Sequence, residues 1–176
     1  MVTIRAEILA DITAREVLLD RAFGRARQRK TSQRFRDGRI PAEGLAFTAL
    51  NKSGRVIGTL RMWNVIAGSA GPALLLGPLA VEARYQRRGI GSELMTHALN
   101  MAKVLGHASV LLVGDEPYYS RFGFNQSLVT NLRLPGPVES NRFLGLELTS
   151  GALADAGGLV SASGALASPA GKTLAA

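Results

Sequence analysis

The chain has 176 residues, a formal net charge of +8 and a sequence pI of about 10.8, with 47% hydrophobic residues and no cysteine. That length suits one domain with a real core, and the missing cysteines exclude disulfides, thiol catalysis and zinc-thiolate sites. Two histidines, His97 and His107, are too few and too far apart for a metal cluster, so no metal is expected.

Arg5, Glu7 and Asp11 give the N-terminus a polar character unlike a secretory leader. The longest apolar stretch, residues 73–81, is broken by Gly77-Pro78 and falls short of the ~20 residues of a membrane span. The expected compartment is the cytoplasm, with no membrane partner.

In chain order, residues 2–8 alternate as a first strand, and Asp11 is placed to cap a helix running to about Ala22. Residues 24–43 are basic and interrupted by Gly38 and Pro41, which predicts a short second helix and a loop. Arg21, Arg25, Arg27, Arg29, Lys30, Arg34, Arg36 and Arg39 carry much of the charge excess there, opposed within the segment only by Asp37. Three readings of this cluster stand open: a solvated face, attraction of a ligand's phosphates or an acidic substrate, and nucleic-acid binding. The last is disfavoured, because only Phe23 and Phe35 interleave and no recognition pattern is present.

Residues 45–50 and 55–65 read as strands joined by Asn51-Lys52-Ser53-Gly54, a turn that closes a hairpin. Residues 68–72 form another turn, and 73–81 a central strand covered on both faces. Pro78 is anomalous there, since proline cannot donate to a ladder and marks an edge or a bulge. From Ser92 to Leu105, Leu94, Met95, Ala98, Leu99, Met101, Ala102 and Leu105 recur at helical spacing, with Gly106 as the stop and His97 on the outer face. Residues 110–113 are a buried strand and 118–122 a short helix; 128–134 and 142–148 are expected as a final strand pair around Pro135-Gly136-Pro137.

Beyond Ser150 the composition shifts to Gly, Ala, Ser and Leu, which sets a tail of 151–176, expected to be partly ordered, apart from a domain of 1–150. Gly171-Lys172-Thr173 resembles the end of a phosphate-binding loop. Position 166 is leucine, however, and no strand precedes it, so a nucleotide site is rejected.

The most informative stretch is Gln86-Arg87-Arg88-Gly89-Ile90-Gly91, between the strand ending at Val81 and the helix beginning near Ser92. Such a turn aims main-chain N–H groups, a helix dipole and two guanidinium groups at one small volume, suited to a diphosphate. A dinucleotide fingerprint fails, because the third glycine would fall on Leu94.

The run from Leu79 to Ser92 resembles the acetyl-CoA signature of the GCN5-related N-acetyltransferase (GNAT) family, whose core is Gln/Arg-x-x-Gly-x-Gly/Ala after a hydrophobic strand. Gly114-Asp115-Glu116-Pro117-Tyr118-Tyr119-Ser120-Arg121-Phe122-Gly123-Phe124 resembles the family's second segment, Tyr-x-x-x-Gly-Phe. Within the family the chain is similar to small bacterial N-acetyltransferases carrying Tyr-Tyr-x-x-Phe-Gly-Phe, over roughly residues 2–149. It departs from the common pattern at Ala83, where proline often stands, and at Arg87, where glycine often stands.

The resemblance implies a single-domain α/β fold with a central mixed, mostly antiparallel sheet flanked by helices and a V-shaped splay between the fourth and fifth strands. It implies acetyl-CoA as donor and direct transfer to an amine in a ternary complex. The acceptor is taken as a small molecule on chain size alone; a homodimer is left open. Backbone N–H groups from Arg87, Arg88, Gly89, Ile90, Gly91 and Ser92, after Gln86, would hold the diphosphate. Leu79 and Val81 would pair with the pantetheine arm, and an N–H near Leu79 or Ala80 would face the oxyanion. Tyr119, four residues before Gly123, is the general-acid candidate, with Tyr118 packing on the cofactor. For the base, Asp115, Glu116 and Glu43 are in range and none is singled out, while Glu82 is expected to point away. Two alternatives remain, an acyl-CoA-binding sensor with little turnover and an acetyltransferase acting on charged tRNA.

Overall fold

The computed structural model describes residues 2–168; Gly171-Lys172-Thr173 lies outside them. Eleven elements build the domain around one sheet. β1 (Thr3–Ala6), β2 (Ala46–Leu50), β3 (Val56–Ala67) and β4 (Pro72–Val81) run antiparallel in sequence order, and β4 then pairs in parallel with β5 (Ser109–Val113). β7 (Phe143–Glu147) closes that side, antiparallel to β5. α1 (Ile12–Phe23) and α2 (Ile90–Val104) lie on opposite faces, and α3 (Glu116–Tyr119) is a single turn after β5. This is the mixed α/β architecture the resemblance implies.

Alternation along the strands divides the core in two. Leu60 and Met62 of β3, Leu74 and Leu76 of β4, and Val110 and Leu112 of β5 point to one face, where Leu94, Met95, Ala98 and Ala102 of α2 cover them. Trp63, Val65, Leu75 and Leu111 point to the other, against Phe35, Val129, Leu132, Phe143, Leu153 and Val160. Leu18 and Leu19 of α1 pack on Ala80. Each fully buried leucine contributes on the order of 2 kcal/mol.

Pro78 sits in a bulge. Leu60 pairs with Leu79 and Met62 with Leu76, so Gly77 and Pro78 both stand opposite the single residue Arg61. The indole Nε1 of Trp63 donates to the Gly77 carbonyl at 2.6 Å, bracing the bulge across the pair. On the other side of β4, pairing with β5 covers only Leu74–Leu76. From Gly77 to Val81 that edge has no strand neighbour among the described residues, and this is the splay between the fourth and fifth strands.

Three expectations are corrected. Residues 128–134 and 142–148 do not pair with each other: β7 joins β5, whereas β6 (Asn131–Arg133) runs parallel to β8 (Gly157–Ala162). β8 also pairs antiparallel with Val65–Ala67 of β3, because β2 covers β3 only as far as Arg61 and leaves the rest of that edge open. The segment 24–43 holds no α-helix but two short 3₁₀ turns, Arg25–Arg29 and Thr31–Phe35. Asp11 occupies the cap position of α1 without capping it through its side chain; its carboxylate instead accepts from the Ile8 N–H at 3.0 Å and from Arg5 at 2.6 and 2.9 Å.

Candidate active site

The glycine-turned loop between β4 and α2 presents its main-chain N–H groups as expected, but only Arg87 of its two arginines lines the cleft there. Gly89 takes a left-handed conformation, φ 81°, and its carbonyl accepts the first helical bond, from the Glu93 N–H at 2.9 Å. The N–H groups ahead of Glu93 therefore have no helical acceptor and face outward at the positive end of the α2 dipole. Gly91 serves a different purpose: a Cβ there would lie 2.7 Å from the Tyr118 hydroxyl, which would have to shift to admit it. Arg87 also adopts a positive φ of 61°, the conformation a glycine at this point would take freely.

Two clefts open on either side of the splay. One, of about 690 Å3, is lined by Leu79, Ala80 and Val81, by Gln86, Arg87 and Gly89 through Ser92, and by Tyr85, Tyr118, Tyr119, Asp115 and Arg121. Every sequence-derived binding residue is brought together here except Arg88, whose guanidinium stacks 5.5 Å from the Tyr85 ring instead. The other, of about 760 Å3, runs between the 25–36 turns, the β4 bulge and residues 137–142. Leu79, Asp115 and Tyr119 line both clefts, so the two cavities meet at these three residues.

Tyr119 is held by packing. Its ring lies edge-on to Tyr118 (centroids 4.9 Å apart) and near Phe124 (6.0 Å), and a Cβ on Gly114 would fall 2.2 Å from its Cε2. Only a glycine at 114 admits the ring. Burial, followed by the proximity of Tyr118 and Asp115, pushes its phenol up to about 12. It therefore stays protonated across the working pH range. Tyr118 is fixed by the Arg121 guanidinium 4.6 Å above its ring.

Of the carboxylates in range, Asp115 alone lines both clefts; it is 3.3 Å from Arg142. Glu43 and Glu116 line neither, and Glu82 is turned away into pairs with Arg55 at 2.8 Å and Arg84 at 2.7 Å. His97 lies half-buried on α2, edge-on to Phe47 at 4.7 Å, more enclosed than the surface position expected for it. Sequence reasoning missed Tyr85, Arg121, Glu139 and Arg142. Arg121 had a local signal, the three-residue step from Tyr118 that stacks side chains on a helical turn, and Tyr85 directly precedes the Gln86–Gly91 loop; Glu139 and Arg142 come from a distant segment.

A bulged strand parted from a parallel neighbour, with a helix N-terminus at one mouth of the gap and a tyrosine at its centre, defines the N-acetyltransferase class. The model of the acetyltransferase (GNAT) family matches residues 13–124, and the chain belongs to that family. It is 31% identical over 158 residues to the uncharacterised N-acetyltransferase YhbS of Escherichia coli strain K12, covering 89% of this chain and 93% of that one. The crystal structure of E. coli YhbS in complex with CoA superposes with a TM-score of 0.78 at 30% identity, over 92% of this chain and 89% of that chain. A GNAT acetyltransferase from Brucella melitensis in complex with acetyl-CoA shares the fold, with a TM-score of 0.64 at 23% identity over 84% of this chain and 88% of that chain.

Proposed function

We propose that this protein transfers the acetyl group of acetyl-CoA to the primary amine of a small molecule by direct attack in a ternary complex. The observation that carries the reading is the meeting of two clefts at Leu79, Asp115 and Tyr119. One cleft takes the donor and the other the acceptor, so donor and amine enter from opposite sides and no covalent enzyme intermediate is needed.

The residues present fit the donor. The outward N–H groups at Gly89–Ser92 hold the diphosphate, and the Gly91 main chain, bare of a Cβ, admits it closely. Leu79 and Val81, on the unpaired edge of β4, bind the amide-bearing arm as an added strand. Acetyl-CoA supplies an activated thioester. A main-chain N–H at Leu79 or Ala80 polarises its carbonyl, since Pro78 has none.

Tyr119 donates its Oη–H toward the departing sulfur. An ordinary phenol near 10 would hand over its proton readily, but burial raises this one to about 12, well above a thiol of about 8.5. Hydrogen-bond donation coupled to loss of the amine proton is therefore its role, rather than transfer of a free proton. Asp115, the carboxylate at the junction, receives that amine proton.

The test is release of free thiol from acetyl-CoA across a broad panel of amines. Tyr119→Phe should lower turnover about 100-fold while calorimetry shows acetyl-CoA binding largely kept. Silence across the panel with binding intact would make the protein a sensor of the coenzyme instead.

A further inference from the structure

The acceptor cleft is lined by four cations, three of which have a carboxylate or an aromatic ring beside them. Arg27 is bound by Glu16 and by Asp20 at 3.0 Å, Arg142 faces Asp115 at 3.3 Å, and the Lys30 ammonium lies 5.3 Å over the Phe23 ring. Arg36 differs. No carboxylate lies within 4 Å of it among the described residues, and Met1 and residues 169–176 contain no Asp or Glu. Its Nε, like that of Arg142, is shielded from solvent with no acceptor among the described residues. Arg142 keeps Asp115 beside it, whereas the rest of the half-buried Arg36 side chain lines the cleft with no carboxylate against it. A Cβ on Gly77 would lie 3.1 Å from its Nη2, so the guanidinium rests directly against the bulge.

An arginine in this state is costly. A shielded guanidinium nitrogen without an acceptor forfeits hydration and gains nothing in return. Burial, with Arg27 nearby, pushes its pKa down to about 10, so it remains a cation at neutral pH. Among the described residues nothing supplies the remaining partner, and the cleft that this side chain lines is open to a ligand.

Resting on the transferase reading above, we infer that Arg36 is the anion anchor of the acceptor site, and that the acceptor is a small amine bearing a carboxylate close to its amino nitrogen. Gly77 is two residues from Leu79, a span of at most about 7 Å along the strand. The nitrogen at the Leu79–Tyr119 junction and the anion at Arg36 are then separated by the reach of an amino acid. A planar guanidinium engages a carboxylate through two parallel hydrogen bonds, which fixes orientation as well as charge. The neighbouring Arg27 adds to the positive field even while paired. Amines of the polycationic kind, which bring no anion, would face this field unfavourably.

The experiment is a matched panel with acetyl-CoA: amino acids, their carboxamides, the corresponding decarboxylated amines, and phosphoethanolamine. Thiol release is expected to favour the carboxylates over both uncharged series by at least tenfold in kcat/KM. Arg36→Gln should raise KM for the carboxylates at least 30-fold, leave KM for acetyl-CoA unchanged and abolish the preference. Arg36→Lys, which keeps the charge and guards against a mere folding defect, should restore part of it. Calorimetry on the CoA-saturated protein reads the same contrast without turnover. Thiol release indifferent to the carboxylate, or equal preference in Arg36→Gln, overturns the anchor while leaving the transferase standing; preference for phosphoethanolamine overturns the carboxylate. No thiol release, with carboxylate binding that Arg36→Gln removes, would keep the anchor and end the transferase reading.

Discussion

A single hydrogen atom at position 114 decides where Tyr119 can be. The ring occupies the space that any Cβ there would need, at 2.2 Å from Cε2, and the backbone at 114 is not one of the left-handed positions. Gly114→Ala therefore acts by displacing the ring rather than by straining the chain. It should destabilise the fold by only about 1–3 kcal/mol yet cut thiol release at least tenfold. The double variant with Tyr119→Phe should be no slower than Tyr119→Phe alone, because both changes remove one function. A further multiplicative drop would show that Gly114 acts elsewhere. Tyr118 and Gly91 repeat the pattern on the donor side. The tyrosines themselves were legible from their spacing to Gly123; the glycine that seats the second of them was not, since its reason is a contact with a side chain five residues on.

At the scale of elements, ion pairs rather than helix propensity fix the wall of the cleft beside the 25–36 turns. Arg61 of β3 and Arg15 of α1 both bind the Glu7 carboxylate. Arg15 continues to Glu16 at 2.7 Å, and Glu16 to Arg27 in the cleft wall. The strand opposite the bulge is thus tied to the turn that faces it. At the other end of α1, Asp11 joins Arg5 of β1, and the Arg5 hydrogen bond outweighs burial in holding its carboxyl below the usual range. A depressed carboxylate contributes stability that is present above its unfolded pKa and disappears as pH falls through the folded one. Asp11→Asn should accordingly melt below wild type at pH 7, and the gap should close as pH drops from about 5 to below about 3. A gap that stays constant over that range would remove the carboxylate from the argument. The basic segment 21–39 resolves into separate tasks in the same way. Arg34 and Arg39 donate to the carbonyls of Pro135 and Gly164, Arg27 is paired with acids and Lys30 lies over Phe23, while Arg36 has neither a carboxylate nor a ring against it among the described residues.

For the whole molecule, the C-terminal part of the chain completes the sheet. β8 fills the β3 edge that β2 leaves uncovered and brings Val160 into full burial on the face opposite α2. β6 then adds to β8, and the 3₁₀ turn at Gln126–Val129 packs behind β7. A chain ended after Ala156 loses Val160 and exposes the backbone of Val65–Ala67. It should unfold at least about 2 kcal/mol more easily in urea and associate through the bared edge. Unchanged stability would reduce β8 to an ornament of the fold. Among the described residues no helix is long and apolar enough to cross a membrane.

Local signals settled a great deal. The period of α2, the glycine turn before it and the misfit of Pro78 in an apolar strand are all short-range facts. Dipoles, chain reversal and proline's missing donor act within a few residues, so the glycine turn before α2 and the irregularity at Pro78 could be read without coordinates. Tertiary structure alone decided which strands meet and which arginine of the cleft beside the 25–36 turns stands without a carboxylate. Strand pairing beyond a hairpin depends on which edge remains vacant, as β8 found on β3. The freedom of Arg36 depends on where every acid in the chain has been placed, and that is a property of the completed fold.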